Sequence, residues 1–302
     1  MTLPTARAAD RSRHRPVLTR EVLRSLDLRP GLTVVDGTVG AAGHSSAMLE
    51  RIRPGGHLIG LDRDPMMLAF AAQVVSGGDV HLIQSSYADL REVLDRLGMT
   101  SVDRVLLDLG LSSDQLADRE RGFSFDADGP LDLRFDVSTG RPATEWLAAA
   151  SVDDLARIFR EYGEEPHADR IAERIVATRS HAPIRTAKDL ADVVAEAVPE
   201  KMRRGTSHYA TRVFQALRIA VNDELGQLER LLNETLPACL TPGGLAGIIS
   251  FHSLEDRMVK AAFRDRERWV EVTAKPIAPT PSEERINPRS RTAKLRVATR
   301  RG

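Results

Sequence analysis

The chain has 302 residues, 42% hydrophobic and 28% charged, a globular composition with room for about two domains. Its 43 basic and 43 acidic side chains cancel, so no net charge draws the body of the protein to a polyanion. A single cysteine, Cys239, excludes an internal disulfide and a cysteine-cluster metal site, and no apolar run approaches the ~20 residues that span a bilayer.

Residues 1–13 read as disordered and basic, with Arg7, Arg11 and Arg13 against Asp10, and they lack a signal-peptide core. A cytoplasmic protein with no membrane or metal is therefore expected. His14-Arg-Pro-Val-Leu18 leads into a helix over 19–26. Short apolar runs then predict strands at 33–36, 57–62, 80–86 and 104–108. Glycines at 37, 40 and 43 follow Asp36, and a helical segment follows them over 45–51. Strand, glycine turn and helix form a βα unit whose helix N-terminus faces an anionic or nucleotide ligand. Asp62, ending the second strand, stands where an acid accepts the hydroxyls of a ribose. Pro65 opens the next helix, where its missing N–H costs little. Strands alternating with helices predict an α/β fold with a doubly wound, mostly parallel sheet.

After Ser113 the rhythm changes. Residues 116–142 are rich in turn formers, and 144–204 read as helices, two of them opened by capping boxes at Ser151–Asp154 and Thr186–Asp189. Residues 116–210 are thus expected to be a helical insertion, with 1–115 and 211–302 forming one discontinuous α/β domain. Apolar residues from Phe214 to Leu232 predict one long helix over 209–236, with Gln215, Arg218 and Asn222 in a polar stripe beside them. A fifth strand is expected at 245–251, then a helix capped by Ser253 and Asp256, then an antiparallel hairpin of 269–274 with 293–299. The four prolines of 275–292 predict an exposed loop there.

Ligands of such sheets sit beyond the carboxyl ends of the strands. That rule gathers Asp36 to His44, Asp62, Tyr87, Asp108 to Ser113 and Ser250 to Ser253 around one cleft. Each has a plainer reading: Asp36 and Asp108 as helix caps, Asp62 as part of a charged turn, His252 as a satisfied core histidine. Phe123 and Phe125 stack a splayed base or anchor their loop. The basic termini, including Arg289 and Arg291, touch phosphate or are simply solvated.

Together these stretches resemble the bacterial 16S rRNA (cytosine-N4)-methyltransferase family (RsmH / MraW). The resemblance is carried by His14-Arg-Pro-Val-Leu18, Asp36-Gly-Thr-Val-Gly-Ala-Ala-Gly-His44, Asp62-Arg-Asp-Pro65, Asp108-Leu-Gly-Leu-Ser-Ser-Asp-Gln115 and Arg121-Gly-Phe-Ser-Phe125. It continues through Gly129-Pro-Leu-Asp-Leu-Arg134, Tyr162-Gly-Glu-Glu165, Phe214-Gln-Ala-Leu-Arg-Ile219 with Asn222, Ser250-Phe-His-Ser-Leu-Glu-Asp-Arg257 and Asn287-Pro-Arg289. It implies a class I S-adenosyl-L-methionine fold, a Rossmann-like sheet with a C-terminal antiparallel hairpin and an inserted helical substrate-recognition domain. It further implies methylation of N4 of a decoding-centre cytidine in 16S rRNA of the small (30S) ribosomal subunit. A homodimer is compatible with it. The cofactor contacts would be Asp36, Gly40, Ala42, Gly43, His44, Asp62, Tyr87, Asp108 and Gln115. Asp108, Ser113, His252 and Asn222 are the expected catalytic group, and Phe123, Phe125, Arg134, Arg218, Arg289 and Arg291 the RNA contacts. Two positions depart from the family pattern: Ala42 replaces a glycine, tolerable if φ stays below zero, and Tyr87 replaces a phenylalanine. The 275–292 linker is also short.

Carbon-5 methylation of cytosine needs a cysteine nucleophile, and Cys239 lies away from these motifs, so amine methylation is favoured. The competing readings are a nicotinamide dehydrogenase, an amino-methyltransferase acting on DNA or other RNA, and a non-catalytic RNA-binding factor.

Overall fold

A computed structural model describes residues 15–125, 128–204 and 208–302. His14, the basic residues Arg7, Arg11 and Arg13, and the expected disorder of 1–13 lie outside the described residues. Seven strands form one sheet: β1 (Thr33–Asp36), β2 (His57–Asp62), β3 (Val80–Gln84), β4 (Val102–Asp108), β5 (Leu240–Ser250), β6 (Trp269–Glu271) and β7 (Lys294–Arg300). Their order is β3-β2-β1-β4-β5-β7-β6. The first five pair in parallel, and β7 runs antiparallel between β5 and β6. This is the Rossmann-like, mostly parallel sheet with a C-terminal antiparallel hairpin expected from the sequence.

The runs Val34–Val35, Leu58–Leu61, Val105–Leu107 and Ala246–Ile249 are apolar without alternation because both faces of the sheet are covered there. Successive residues serve opposite layers: Val34, Leu58, Leu106 and Ile249 pack with Met48, Ile52 and Leu26. Val35, Ile59, Leu107 and Ile248 pack with Leu228, Leu232, Val259 and Phe263. A third cluster joins Phe159, Ile171, Leu190 and Val194 to Phe214 and Leu217. The helices of that region include Val152–Glu161, Ala168–Arg179 and Ala187–Ala197, and both expected capping boxes are formed.

Three local expectations are corrected. The long helix is broken at Asp223, which takes a left-handed φ of 51°, so Thr211–Asn222 and Glu224–Arg230 are separate helices. A 3.6-residue apolar stripe continues in sequence through such a bend, which is why periodicity did not reveal it. The helix Ser253–Phe263 is capped by His252, with Glu255 completing the box, rather than by Ser253 with Asp256. Asp256 instead accepts from Arg296 and Lys294 on β7. Residues 275–292 are largely exposed, as expected, but are not a plain loop: Pro281–Ile286 is helical and Ser290 is fully buried. Their register comes from distant partners, Glu283 accepting from the Leu18 N–H and Asn287 donating to the Arg15 carbonyl.

The turn-rich segment after Ser113 is tied to the sheet by a buried polar knot. Arg121 donates to Asp64 and Asp118, and Gln115 Nε2 donates to the same Asp64 oxygen at 2.9 Å. Arg121 also lies 5.5 Å over the Phe123 ring. Asp64 and Arg121 are 1% and 6% exposed, so neither charge has water to fall back on. Arg121→Met is expected to lower unfolding free energy by about 3–5 kcal/mol in urea titration, because it strands a buried carboxylate. A loss near zero would show that the knot holds nothing.

Candidate active site

Strand order reverses between β1 and β4, and a cavity of about 430 Å³ opens beyond their carboxyl ends. Its walls carry Gly40, Gly43, His44, Asp62, Tyr87 and Asp108 from the sheet edge. Asp62 and Asp108, expected around one cleft, both line it. Ser113, Gln115, Phe123, Phe125, Arg218, His252 and Arg289 close it from the other elements.

The glycine loop is shaped by close approach. A Cβ on Gly37 would lie 3.0 Å from Tyr87 Cβ, and one on Gly43 would lie 2.9 Å from Pro16 Cγ. The N-terminal arm thus packs directly on the loop. Ala42 caps the following helix, Gly43–Ile52, with φ at 63°, contrary to the expectation of a negative φ. The left-handed conformation costs an alanine about 1–2 kcal/mol, and its fully buried methyl in the core offsets part of that. Ala42 therefore shapes the loop without lining the cavity.

The acids differ in how they are satisfied. Asp36 lies behind the cavity wall, accepting from Ser45 Oγ at 2.7 Å and from the Thr38 N–H, while burial pushes its carboxyl pKa up. Asp62 accepts from the Gly40 N–H through Oδ2 and from the Asp64 N–H through Oδ1, both at 2.9 Å. Burial outweighs these bonds and pushes Asp62 up to about 7. Asp108 has one oxygen, Oδ2, 3.5 Å from His44 Nε2, and its other oxygen, Oδ1, is buried without a hydrogen bond among the described residues. Its own N–H donates to Thr38 Oγ1.

Opposite this edge, Arg218 makes a two-pronged pair with Glu224, at 2.7 and 2.8 Å. His252 Nε2 lies 3.1 Å from Glu255 Oε1, and the imidazole and its neighbours hold the Glu255 carboxyl below its usual range against the effect of burial. His252 is thus a cap first. Ser113 accepts from Arg289 Nη1 at 2.7 Å while Nη2 donates to the Leu111 carbonyl. Gln115 spends its amide on Asp64 and on the Ser112 N–H, so it buttresses the cleft through structure.

Besides Asp36 and Ala42, three expected contacts lie off the cavity wall. Asn222 is 2% exposed; its amide donates to the Leu133 and Arg218 carbonyls and accepts from the Phe135 N–H. It anchors the 131–135 strip and does not line the cavity. Arg134 is bound two-pronged by Asp132, and Arg291 is exposed outside the cleft. Phe125 has one face stacked on His208, 4.3 Å between centroids, and its edge on Phe214. Residues missed from the sequence are Arg63, Phe135 and Glu255, all on the cavity wall. Phe135 directly follows the quoted Gly129–Arg134 motif, and Arg63 sits inside Asp62-Arg-Asp-Pro65, so adjacency was the available signal.

The sequence pattern of the MraW methylase family matches residues 11–301. A ribosomal RNA small subunit methyltransferase H from Thioalkalivibrio sulfidiphilus is 47% identical over 307 residues, covering 95% of this chain and 97% of that protein. The protein of the same name from Trichlorobacter lovleyi is 45% identical over 309 residues, covering 96% and 98%.

Among the described residues the Tyr87 hydroxyl reaches only the Glu224 carbonyl, at 3.4 Å, while its ring forms the wall. Tyr87→Phe is therefore expected to change unfolding free energy by no more than about 1 kcal/mol, whereas Tyr87→Ala costs about 3–5 kcal/mol. Equal losses in chemical denaturation would mean that the hydroxyl, not the ring, is the structural element.

Proposed function

The chain belongs to the MraW methylase family, and from that premise we propose that it methylates N4 of a decoding-centre cytidine in 16S rRNA of the 30S subunit. It is an S-adenosylmethionine-dependent methyltransferase of small-subunit ribosomal RNA with a class I fold. The observation that carries the finer reading is Asp108 Oδ1, a buried carboxylate oxygen with no hydrogen bond among the described residues, on the wall of the cleft. A primary amine is the group such an acceptor fits.

The cleft suits the cofactor on structural grounds. Gly37 has no room for a Cβ against Tyr87, and Asp62 presents a desolvated carboxylate at the end of β2. Asp62 would accept the ribose hydroxyls, the Tyr87 ring would flank the adenine, and the N–H groups of Gly43 and His44 at a helix N-terminus would hold the polar tail. When bound, S-adenosylmethionine supplies an electrophilic methyl group on a sulfonium.

Cytosine N4 is a poor nucleophile because its lone pair is delocalised into the ring. Asp108 Oδ1 accepts one amine hydrogen, which turns the nitrogen and raises its electron density as conjugation is lost. Leu109 and Leu111, on either side of the Gly110 turn, line the cleft with apolar surface next to Asp108 in the chain. To enter, the base must leave its stack, and the rings of Phe123, Phe125 and Phe135 form the apolar wall that would receive it. We assign residues 116–210 to RNA recognition, joined to 1–115 and 211–302 as the catalytic unit. Arg218 and Arg289 face the cleft as RNA contacts, with Ser113 positioning Arg289.

Incubation with S-adenosylmethionine and undermethylated 30S subunits is expected to give N4-methylcytidine by nucleoside mass spectrometry; a different methylated nucleoside would overturn the target assignment. Asp108→Asn should lower turnover at saturating cofactor by about 10²-fold or more. Asp62 makes a further expectation. A diol donating to a carboxylate needs the ionised form, and Asp62 titrates at about 7 without ligand. S-adenosylhomocysteine should thus bind more tightly as pH rises from 6 to 8, releasing a proton in calorimetry at the lower pH. The sign in the ligand-free protein is opposite: a raised carboxyl stabilises the fold below about 4 and loses that contribution as pH passes 7. Affinity independent of pH would remove Asp62 from the ribose.

A further inference from the structure

His44 is 5% exposed, and neither ring nitrogen makes a well-formed hydrogen bond among the described residues. A buried imidazole left in this way requires an explanation. Nε2 is 3.5 Å from Asp108 Oδ2, the oxygen that points away from the open position on the same carboxylate. Asp36, from the end of β1, and the Val17 backbone, from the N-terminal arm, also face the ring. The first turn of its own helix carries no acid, and the positive end of that helix opposes an imidazolium. From the C-terminal segment, Arg289 approaches Asp108. Burial disfavours the charged ring, yet the two acids overcome it and lift the His44 pKa above the ordinary value.

We propose that His44 is a positioning residue that, as an imidazolium, donates from Nε2 to Asp108 Oδ2 and so holds Oδ1 toward the substrate amine. This rests on the reading of Asp108 given above. The chemistry asks for orientation more than basicity, because an exocyclic amine that has just gained a methyl group is strongly acidic. As the N4–C bond forms and the donor's S–C bond breaks, the N4 proton passes to Asp108 Oδ1. His44 keeps its proton throughout, and solvent takes the proton from Asp108 when product leaves. A neutral ring could offer Asp108 the same hydrogen bond, but without the charge that keeps the carboxylate ionised in a buried site.

The test is single-turnover methylation of 30S subunits across pH 6 to 9, with S-adenosylhomocysteine affinity measured beside it. His44→Ala should lower the saturated rate roughly 10²-fold, the loss that misplacing a reacting group causes, while cofactor affinity changes little. His44→Gln, whose amide can donate at the same place, should restore part of the rate. The fall in wild-type rate as His44 loses its proton at alkaline pH should be absent from that variant. An unchanged rate in His44→Ala, or a loss confined to cofactor affinity, overturns the proposal. Nitrogen-15 NMR of the wild-type complex with S-adenosylhomocysteine gives an independent reading: both ring nitrogens should be protonated at pH 7.5, and a neutral ring overturns the proposal even if the variants fail to fold. Full activity in Asp108→Asn would instead sink the Asp108 assignment itself.

Discussion

Burial of carboxylates at one sheet edge is the constraint around which this molecule is built. Asp36, Asp62, Asp64 and Asp108 come from the carboxyl ends of three neighbouring parallel strands or the turns beyond them. Burying an ionised carboxylate is costly unless charge or hydrogen bonds compensate it. The structure compensates the four unequally. Asp64 receives a guanidinium, an amide and a backbone N–H. Asp36 receives a hydroxyl and a backbone N–H, Asp62 two backbone N–H groups, and Asp108 keeps one oxygen unbonded among the described residues. That gradation separates acids that hold the fold together from acids left available to a ligand.

The rest of the chain closes the space above this edge. Asn222 clamps the 131–135 strip, Arg289 crosses from the C-terminal segment to Ser113, and Glu164 accepts from Ser253 and Arg257 on the helix after β5. Each link joins residues far apart in sequence. The cleft walls are therefore set by contacts between the α/β sheet and the helical region, and not by either alone. The same arrangement explains why several charged cleft residues are already engaged. Arg218 and Arg289 reach the cavity with their donors shared with Glu224, Ser113 and Leu111, which fixes their direction.

Much of this was legible in the sequence because it rests on short-range physics. Apolar runs of four to seven residues placed β1 to β4, with their carboxylate ends at Asp36, Asp62 and Asp108. Hydroxyl–acid spacing gave the capping boxes at Ser151 and Thr186, and the proline after Asp64 gave the start of its helix. The motifs then gathered the cleft, because strand ends in a parallel sheet lie on one side.

What only the tertiary structure decided is which of these polar groups are already taken. Asn222 looks in sequence like one more residue of a polar stripe, yet its amide is consumed by the Leu133 carbonyl and the Phe135 N–H, about ninety positions away. Prolines between 275 and 292 signalled a loop, while Glu283 and Asn287 bind the N-terminal arm and fold that stretch over the cleft. Asp223 bends a continuous apolar stripe, and Phe135 and Arg63 come to the cavity wall beside motif residues that were chosen instead. A residue's own chemistry and its near neighbours are written along the chain. Distant segments supply the partners that close Asn222 and, among the described residues, none for Asp108 Oδ1, and only folding decides which group is reached.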